Sequence, residues 1–484
     1  MSAISPDKIG PRLHILSDEQ IRAIHEASLS VLEETGYHMP VTEARELLQA
    51  AGARVQGERV YIPAHLVEQA LRTLRPVTLY NRSGEVALPL GERRVSFGAL
   101  ADTINVLDPF QGQVRSWQWQ DQRWLVTVLD ALPNVDYLQV VGQASNVPEA
   151  LQTQIAVAET LRCTSKPILA YPYDRQGLRD VLQVVDIAVG GEAARRRRPC
   201  LFCASVPAAP LAGTVYSLEL LLTCAEQEVP VLYYSCPALG ANSPCSVAGT
   251  LALTGADWLA AVVLHQLKRP GAPFCTYGPT VQLMDMRTTL WSYCAPEALQ
   301  AYAAVADIAH WYGLPAWGLE MICDTPYLDA QAGMEMAATC TWAMMSGVDL
   351  VHNVGILGAG KLCAAEAAVL ADEVIAYGRA SAHALPIAAQ ELQEGIALIA
   401  ERGPGAEYVS HEHTLAHFHD FWYPTVLERS NFDAQGDRFG SHLLERLNAQ
   451  ARRLIENHRP QPLPPEVLAE IDRLEAVWWA RARA

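Results

Sequence analysis

The stretch that decides the fold is "PCLFCASV", residues 199–206, which is apolar at nearly every position. A strand that buries one face alternates apolar and polar residues, whereas a strand that is apolar throughout is buried on both faces, as in a parallel sheet. Seven further short runs of this kind recur along the chain: RVSFGA (94–99), VDYLQVVG (135–142), PILAYP (167–172), VPVLYYSC (229–236), APFCTYG (272–278), LPAWGLE (314–320) and DLVHNVG (349–355).

Amphipathic segments long enough for helices separate these runs, for example "EALQTQIAVAETLR" and "GADWLAAVVLHQLK". Apolar strands that alternate with helices predict an α/β protein with a parallel sheet. Eight such units favour a closed (β/α)8 TIM barrel over an open doubly wound sheet. We therefore predict an N-terminal helical and β cap over residues 1–90, a catalytic barrel over 91–385, and a C-terminal helical extension over 386–484.

Composition excludes several classes of protein. The 484 residues are 50% hydrophobic and 18% charged, which argues against a largely disordered chain. The net charge of −17 repels phosphate backbones, so a nucleic acid is not an expected partner. The N-terminus has no apolar signal region, and no uninterrupted apolar run reaches the roughly 18 residues of a membrane helix. Eleven cysteines, an odd number at irregular spacing, predict reduced thiols and a cytoplasmic protein.

The closest cysteine pair, Cys200 and Cys203, lies within one apolar run. Residues three apart on a strand face opposite ways, so a structural role is favoured over a metal site. The segment "HEHTLAHFHD" (411–420) places His413 and His417 four residues apart. It lacks the Glu of an HExxH motif, so a surface helix is the favoured interpretation.

The glycine-rich stretch "HNVGILGAGKLC" (352–363) resembles a P-loop, with Gly355 and Gly360-Lys361 at the expected spacing. Leu362 stands where a P-loop has the Ser or Thr that holds magnesium, and a P-loop belongs to an open sheet. We therefore expect no nucleotide binding. Gly355, Gly358 and Gly360 instead predict a rim where a large cofactor or partner approaches the backbone.

Barrel enzymes build their sites from residues at the carboxyl ends of the strands. Tyr and Trp are frequent there, and aromatic rings bind quaternary ammonium groups by cation–π attraction. Any single aromatic residue is as often a core residue. The residues at the predicted strand ends are Asp102, Tyr171, Tyr173, Ser205, Tyr234, Ser235, Tyr277, Trp317, Glu320, His352 and Asn353.

Several motifs resemble the trimethylamine methyltransferase (MttB) superfamily: "LSDEQIRAIHEASLSVLEETG", "FGALADTINVLDPFQGQ", "LGANSPCSVAGTLALTGADWLA", "KRPGAPFCTYG", "LDAQAGMEMAATC" and "GVDLVHNVGIL". The resemblance runs from about residue 10 to about residue 455. It implies a (β/α)8 barrel that transfers a methyl group from a methylated amine to the cobalt of a small corrinoid protein. The chain departs from the family pattern at Asp257, where Glu is usual, and at Gln435, where Trp is usual.

Trimethylamine enzymes of the family carry pyrrolysine just before the "DAQAG" motif. The matching position here falls near Pro326 or Tyr327, so pyrrolysine is absent. The resemblance therefore implies a quaternary amine such as a betaine. Its nitrogen leaves as a neutral tertiary amine, so holding and aligning the cation is the main task.

The resemblance and the positions at the strand ends together imply roles for particular residues. We expect Tyr234, Tyr277 and Trp317 to face the cation, with Glu320 and Asn353 as further substrate-binding residues. Asp102 and His352 are the candidate catalytic groups, although His352 is equally typical of a core histidine. Gly355, Gly358 and Gly360 are the candidate contacts of the corrinoid (cobalamin) cofactor, which a partner protein carries. No tightly bound metal is expected, and we expect a homo-oligomer.

Two alternatives stay open at this point. One is a barrel enzyme of another class, either zinc-dependent or phosphate-binding. The other is a protein that binds quaternary ammonium compounds without catalysis.

Overall fold

A layer of short helices and strands precedes the central sheet. The computed structural model describes residues 12–91, 94–99, 103–140, 143–207, 210–278, 280–383, 387–429 and 442–483. The side chains of Ser17 and Gln20 form a capping box at the start of the first helix, and a π-helical turn at Val31–Thr35 leads into Gly36. The elements of this layer are α1 (Asp18–Ser30), α2 (Thr42–Ala50), α3 (Ala64–Thr73), β1 (Tyr37–His38), β2 (Arg54–Gln56), β3 (Arg59–Tyr61), β4 (Thr78–Tyr80) and β5 (Val86–Pro89).

Strands and helices alternate through the rest of the chain. The strands are β6 (Ser96–Ala99), β7 (Asn105–Asp108), β8 (Gln113–Ser116), β9 (Tyr137–Gln139), β10 (Ile168–Ala170), β11 (Leu201–Ser205), β12 (Val231–Tyr233), β13 (Ala238–Leu239), β14 (Gln282–Asp285), β15 (Leu290–Ser292), β16 (Trp317–Gly318), β17 (Leu350–Val354), β18 (Ile356–Leu357) and β19 (Leu362–Cys363). The helices are α4 (Trp119–Ala131), α5 (Gln152–Cys163), α6 (Arg175–Val189), α7 (Glu192–Arg197), α8 (Val215–Gln227), α9 (Val247–Lys268), α10 (Pro296–Trp311), α11 (Ala330–Ser346), α12 (Ala365–Ser381), α13 (Ala389–Arg402), α14 (Glu412–His417), α15 (His442–Asn457) and α16 (Pro465–Arg483), with 3₁₀ turns at Glu149–Leu151 and Phe418–Asp420.

Seven strands form one curled parallel sheet in the order β12-β11-β10-β9-β6-β17-β16. Each lies inside one of the predicted apolar runs, so the α/β class is confirmed. The eighth run, residues 272–278, bonds to both edges of the sheet. Cys275 N donates to Val231 O at 2.7 Å, and Tyr277 N donates to Pro315 O at 2.9 Å, just before β16.

The hairpin β4–β5 covers one end of the curled sheet. Tyr80 N donates to Pro199 O at 2.9 Å, and Arg82 N donates to Ser165 O at 2.7 Å. Pro199 lies just before β11, and Ser165 lies just before β10. Leu79 of the hairpin therefore packs in the same buried cluster as the inward-facing side chains of the strands. Because this hairpin lies at the amino ends of the strands, the carboxyl ends form the open end.

Two small sheets follow the carboxyl ends of the strands. One has the order β18-β19-β7-β8, and the other has the order β13-β14-β15. On the outside, α1 and α3 pack against α9. Helix α9 is long and apolar enough to cross a membrane by length and composition, but 72% of its apolar window is buried inside the protein. That burial is typical of a core helix. The predicted domain boundaries at residues 90 and 385 stay predictions.

Gly98 in β6 is required by a close contact inside the sheet. The ring of Tyr137 occupies the space that a Cβ at Gly98 would need. The Tyr137 hydroxyl then reaches across β6 and donates to Val351 O at 2.9 Å in β17. The Tyr137 side chain thus links the neighbouring strands β9, β6 and β17, and it crosses β6 at Gly98.

We expect Gly98→Ala to lower the free energy of unfolding by about 1–3 kcal/mol, because the added methyl overpacks against the Tyr137 ring. Urea unfolding followed by circular dichroism measures this loss. Gly333→Ala is the matched control, since a Cβ there meets nothing within 4 Å and lies in helix α11. The control should keep or slightly raise stability. Equal losses in both variants would contradict the packing argument.

Candidate functional site

The carboxyl ends of β16 and β17 bring four predicted site residues together. The strands pair in parallel, with Trp317 opposite Leu350. His352 Nδ1 donates to Gly318 O at 2.8 Å, and Asn353 Nδ2 donates to Leu319 O at 3.3 Å. These two bonds fix the side chains of one strand end on the backbone of the other. The predicted residues gathered here are Trp317, Glu320, His352 and Asn353, and all four are buried.

The backbone of β17 is irregular at this point. Its pairing with β6 shifts register between Val351 and Val354, and Asn353 has a φ of 80°. Asn is among the few non-glycine residues that tolerate positive φ. Bulges of this kind re-aim side chains and are frequent beside active sites.

Three rings form a stack on the inner side of the sheet. The Trp317 ring stacks on His352, with centroids 4.3 Å apart and planes 25° apart. Tyr234 stacks on Trp317 at 5.9 Å and 28°. The hydroxyls of Tyr171 and Tyr234 are 3.1 Å apart and share a hydrogen bond. Trp317 is therefore the middle ring of a stack that joins the ends of three strands.

The structure does not bring Tyr277 into this stack. Its ring packs edge-on against Trp258 of α9, with centroids 4.8 Å apart. Tyr277 belongs to the cluster between the sheet and the helices, whereas Cys275 in the same segment belongs to the inner cluster. The segment 272–278 does not alternate strictly, and this irregularity turns Tyr277 outward.

His352 is a neutral imidazole. Burial lowers the pKa of His352 to about 4. The Gly318 carbonyl can only accept a hydrogen bond, so Nδ1 carries the proton and Nε2 keeps its lone pair. His352 is consequently suited to accept a hydrogen bond or to pack, and it is poorly suited to donate a proton near neutral pH.

Glu320 carries a buried carboxyl group. Neither of its carboxyl oxygens has a hydrogen bond within the described part of the chain. Burial raises the pKa of Glu320 to about 7. Oε2 occupies the space that a side chain at Gly318 would need, so the carboxyl lies against the residue that also anchors His352. A buried carboxylate without a counter-charge is costly, and a cation nearby would relieve that cost.

Further buried polar atoms lack partners among the residues described here: Trp317 Nε1, Gln139 Oε1 and Thr276 Oγ1. Gln139 ends β9 and lies two residues after the inward-facing Tyr137, so alternation places it on the inner face. Gln139 and Thr276 were not among the site residues predicted from the sequence. A polar residue inside each apolar run was the signal that could have revealed them, because buried polar groups normally have a partner.

A groove of about 820 Å³ lies at the open end of the sheet. The two small sheets form its sides, with Leu107 and Leu357 on one side and Leu290 on the other. Pro326 and Tyr327, which match the pyrrolysine position by resemblance, also line it, and Tyr327 is 70% exposed. The position that matches the family's pyrrolysine thus lies in a groove at the open end of the sheet.

The P-loop-like stretch forms a β-hairpin in this groove. Strands β18 and β19 pair antiparallel around the turn, and Gly358 N donates to Thr325 O at 2.8 Å. Ala359 N donates to Cys323 O at 2.8 Å. These amides are therefore engaged, whereas a P-loop presents its amides to phosphate. Of the three predicted rim glycines, Gly358 lines the groove, Gly360 is half-buried nearby, and Gly355 is buried.

One group with metal-ligand geometry occurs among the described residues. Potential ligand atoms of Cys294, Asp324 and Glu335 lie within 4.8 Å of one another. The Asp324 carboxylate already accepts from Tyr293 N at 2.8 Å, and the Glu335 carboxylate accepts from Asp324 N at 2.9 Å. These bonds tie loops together and give the group a structural explanation.

Asp102 lies outside the described residues. His413 and His417 stand on α14, which has no buried residue, and His417 Nδ1 is 2.9 Å from Asp420. Cys200 and Cys203 are buried free thiols, and neither belongs to the group of potential metal ligands just described.

Comparison with known proteins gives matches along nearly the whole chain. Residues 3–476 match the family described as "Trimethylamine methyltransferase (MTTB)". The chain is 28% identical over 466 residues to "Trimethylamine methyltransferase MttB" of Desulfitobacterium hafniense, covering 94% of this chain and 92% of that protein. It is also 28% identical over 467 residues to "Glycine betaine methyltransferase" of another strain of that species, covering 95% and 96%.

Among solved structures, the monomethylamine methyltransferase MtmB of Methanosarcina barkeri is similar. The TM-score is 0.48 at 12% sequence identity, and the alignment covers 94% of this chain and 97% of that one.

The stability of the protein should depend on pH through Glu320. The raised pKa means that the folded state keeps a proton that the unfolded state releases above its ordinary pKa of 4.5. The contribution of Glu320 to the free energy of unfolding is therefore fully present below pH 4.5. It is lost as the pH rises from 4.5 through about 7. Glu320→Gln removes this dependence, so its advantage over the wild type should grow between pH 5 and pH 8, by on the order of 3 kcal/mol.

Urea unfolding of the substrate-free protein at several pH values tests this expectation. Glu46→Gln, at an exposed position of α2, is the control and should follow the wild-type curve. Parallel curves for wild type and Glu320→Gln would show that Glu320 is ionised with a partner in the folded state.

Proposed function

Since the chain belongs to the trimethylamine methyltransferase (MTTB) family, we propose that it transfers a methyl group from a quaternary amine to the cobalt of a corrinoid protein. The observation that carries this proposal is the ring stack Tyr234–Trp317–His352 beside the unpartnered carboxyl of Glu320. Aromatic faces and a buried anion are the two features that retain a cation which cannot donate hydrogen bonds. The names of the relatives, one of which acts on glycine betaine, support the same substrate class.

We propose that the site lies in a closed (β/α)8 barrel. Supporting this, the segment 272–278 bonds to β12 on one side and to the residue before β16 on the other. In a closed barrel the strand ends converge on one opening. The ring stack and the groove then belong to the same opening.

The substrate that fits best is a zwitterion of the betaine kind. The cation would lie against the aromatic stack, where desolvation strengthens a cation–π contact. Trp317 Nε1–H is a buried donor that lacks an acceptor within the described chain, and the Thr276 hydroxyl also lacks a partner there. A carboxylate on the substrate would accept from such donors. A neutral His352 fits the same picture, because the tertiary amine leaves without needing a proton.

The groove at the open end is where we place the corrinoid. When bound, its cobalt supplies the nucleophile that accepts the methyl group. A broad, mainly apolar groove suits a large flat cofactor, and Leu290, Pro326, Leu357 and Gly358 would contact it. At Gly358, φ is 60° and a Cβ would lie 3.4 Å from Pro326 Cβ. Glycine therefore lets the β18–β19 hairpin pack closely against Pro326 beside the opening. We also propose a cytoplasmic location, which is supported by the eleven cysteines, none of which forms a disulfide in the described part of the chain.

Trimethylamine should be a poor substrate compared with glycine betaine, because the pyrrolysine position carries Pro326 or Tyr327. The test incubates the purified protein with cob(I)alamin and each amine, and follows methylcobalamin by absorbance. Tetramethylammonium, a cation without a carboxylate, is the matched control for the zwitterion. Turnover of trimethylamine at the betaine rate would refute the proposal, and betaine binding without methyl transfer would indicate a non-catalytic binder.

Trp317→Ala should weaken binding of the preferred betaine by roughly thirtyfold, since a desolvated cation–π contact is worth about 2 kcal/mol. Trp317 is the middle ring, so its loss also removes the support of Tyr234 and His352. Trp317→Phe keeps a ring face and should weaken binding less. Calorimetric titration measures both variants.

Trp258→Phe is the control for this experiment. Trp258 is equally buried, but it lies between sheet and helices, so its loss should leave betaine affinity unchanged. Circular dichroism checks that each variant is folded. Equal affinities of wild type and Trp317→Ala would show that Trp317 only packs and that the cation is held elsewhere.

A further inference from the structure

The C-terminal part of the chain carries a helix that is largely exposed in the described part of the structure. Helix α13 has fourteen residues, none of which is buried. Leu392, Ile396 and Ile399 are 55%, 59% and 60% exposed. Their spacing of four and three residues places them along one face of the helix. An isolated helix of this length is marginal in water, so this apolar face needs a cover.

The segment after α13 exposes more apolar side chains before the chain contacts the helices around the central sheet again. It bonds again to the body at Glu373 of α12, whose carboxylate accepts from Thr425 N at 2.8 Å and from Val426 N at 3.3 Å. We call residues 387–429 the arm. Its large exposed apolar side chains are Ile387, Leu392, Ile396, Ile399, Val409, Leu415, Phe418, Phe421, Tyr423 and Leu427.

A second exposed apolar surface lies on α11 and α12, which we call the α11–α12 face. Met334 and Met345 of α11 are 65% and 43% exposed, and Tyr377 of α12 is 55% exposed. A groove of about 660 Å³ runs between α11, α12 and α15 on this face, and Ala337 and Tyr377 are among its lining residues. The Tyr377 ring packs edge-on against Trp422 of the arm at 5.4 Å. The arm and the face are therefore adjacent surfaces.

Charge bears on the kind of partner that the α11–α12 face can take. The whole chain has a net charge of −17, so two copies repel wherever their acidic surfaces meet. Helix α11 has a single charged residue, Glu335, which is buried and accepts from Asp324 N at 2.9 Å. The outer side of α11 is thus uncharged, which removes this repulsion and offers nothing to attract a basic partner.

We propose that the arm of one chain covers the α11–α12 face of a second copy of this chain, in a reciprocal exchange about a two-fold axis. Two-fold interfaces pair the same surfaces from both subunits, so the apolar arm and the apolar face can cover each other twice. The two surfaces are large enough for a stable interface. Exposed apolar area on the order of 1,000 Å² is presented by the ten large apolar side chains of the arm together with Met334, Met345, Tyr377 and Leu444, which are each roughly half exposed. That area meets the roughly 800 Å² per partner of a stable interface. The inference is independent of the proposed reaction.

The experiment measures the mass of the full-length protein by sedimentation velocity over a range of concentrations. We expect a dimer for the wild type. Ile396→Glu in the arm should weaken association about a hundredfold, because the contact occurs twice in each dimer. Met345→Glu on the α11–α12 face should act in the same way. Met286→Glu is the control, since Met286 is 67% exposed in a turn after β14, outside both surfaces, and it should leave the dimer intact.

Mixing the two interface variants tests the exchange itself. A mixed dimer of Ile396→Glu and Met345→Glu chains regains one intact arm-on-face contact, so the mixture should associate more strongly than either variant alone. No recovery in the mixture would show that the two surfaces do not meet, and a monomeric wild type would overturn the proposal. Ile396 and Met345 are exposed in the single chain, so circular dichroism should show unchanged folding for all variants.

Discussion

The register between β16 and β17 is the constraint on which the site depends. Trp317 lies opposite Leu350, and Gly318 lies opposite Val351. Side chains alternate between the two faces of a strand, so this register sends Trp317 and His352 to the same inner face and lets their rings stack. A slip of one residue would turn every side chain of β16 to the other face. The bond from His352 Nδ1 to Gly318 O then locks the pair.

Most strands of the sheet were predictable from the sequence, because a strand that is buried on both faces is a continuous run of apolar residues. All eight apolar runs either form strands of the curled sheet or, for residues 272–278, bond to its edges. Local backbone geometry is harder to foresee. Tyr277 was expected beside Tyr234, but its irregular segment turns it towards Trp258. The positive φ of Asn353 and the hairpin made by β18 and β19 likewise depend on tertiary hydrogen bonds, which a pattern of residue types does not encode.

Side-chain chemistry was predictable where a polar residue interrupts an apolar run. Glu320 and His352 are such residues and were identified because they lie at predicted strand ends, whereas Gln139 and Thr276 also interrupt apolar runs and were overlooked. The pattern of residue types could not predict the protonation states of these groups. Burial keeps His352 neutral and raises the pKa of Glu320 to about 7, and both effects depend on the packing around β16 and β17.

These two shifts have a joint consequence for a cationic ligand. A buried carboxyl with a pKa near 7 lies between its neutral and charged forms at physiological pH. A quaternary ammonium ion bound nearby favours the charged form, so binding would release a proton from Glu320 and tighten as the pH rises. His352 does not oppose this, because its pKa of about 4 keeps it uncharged over the same range. The site thereby carries only part of a negative charge before the cation arrives and gains more of that charge when the cation binds.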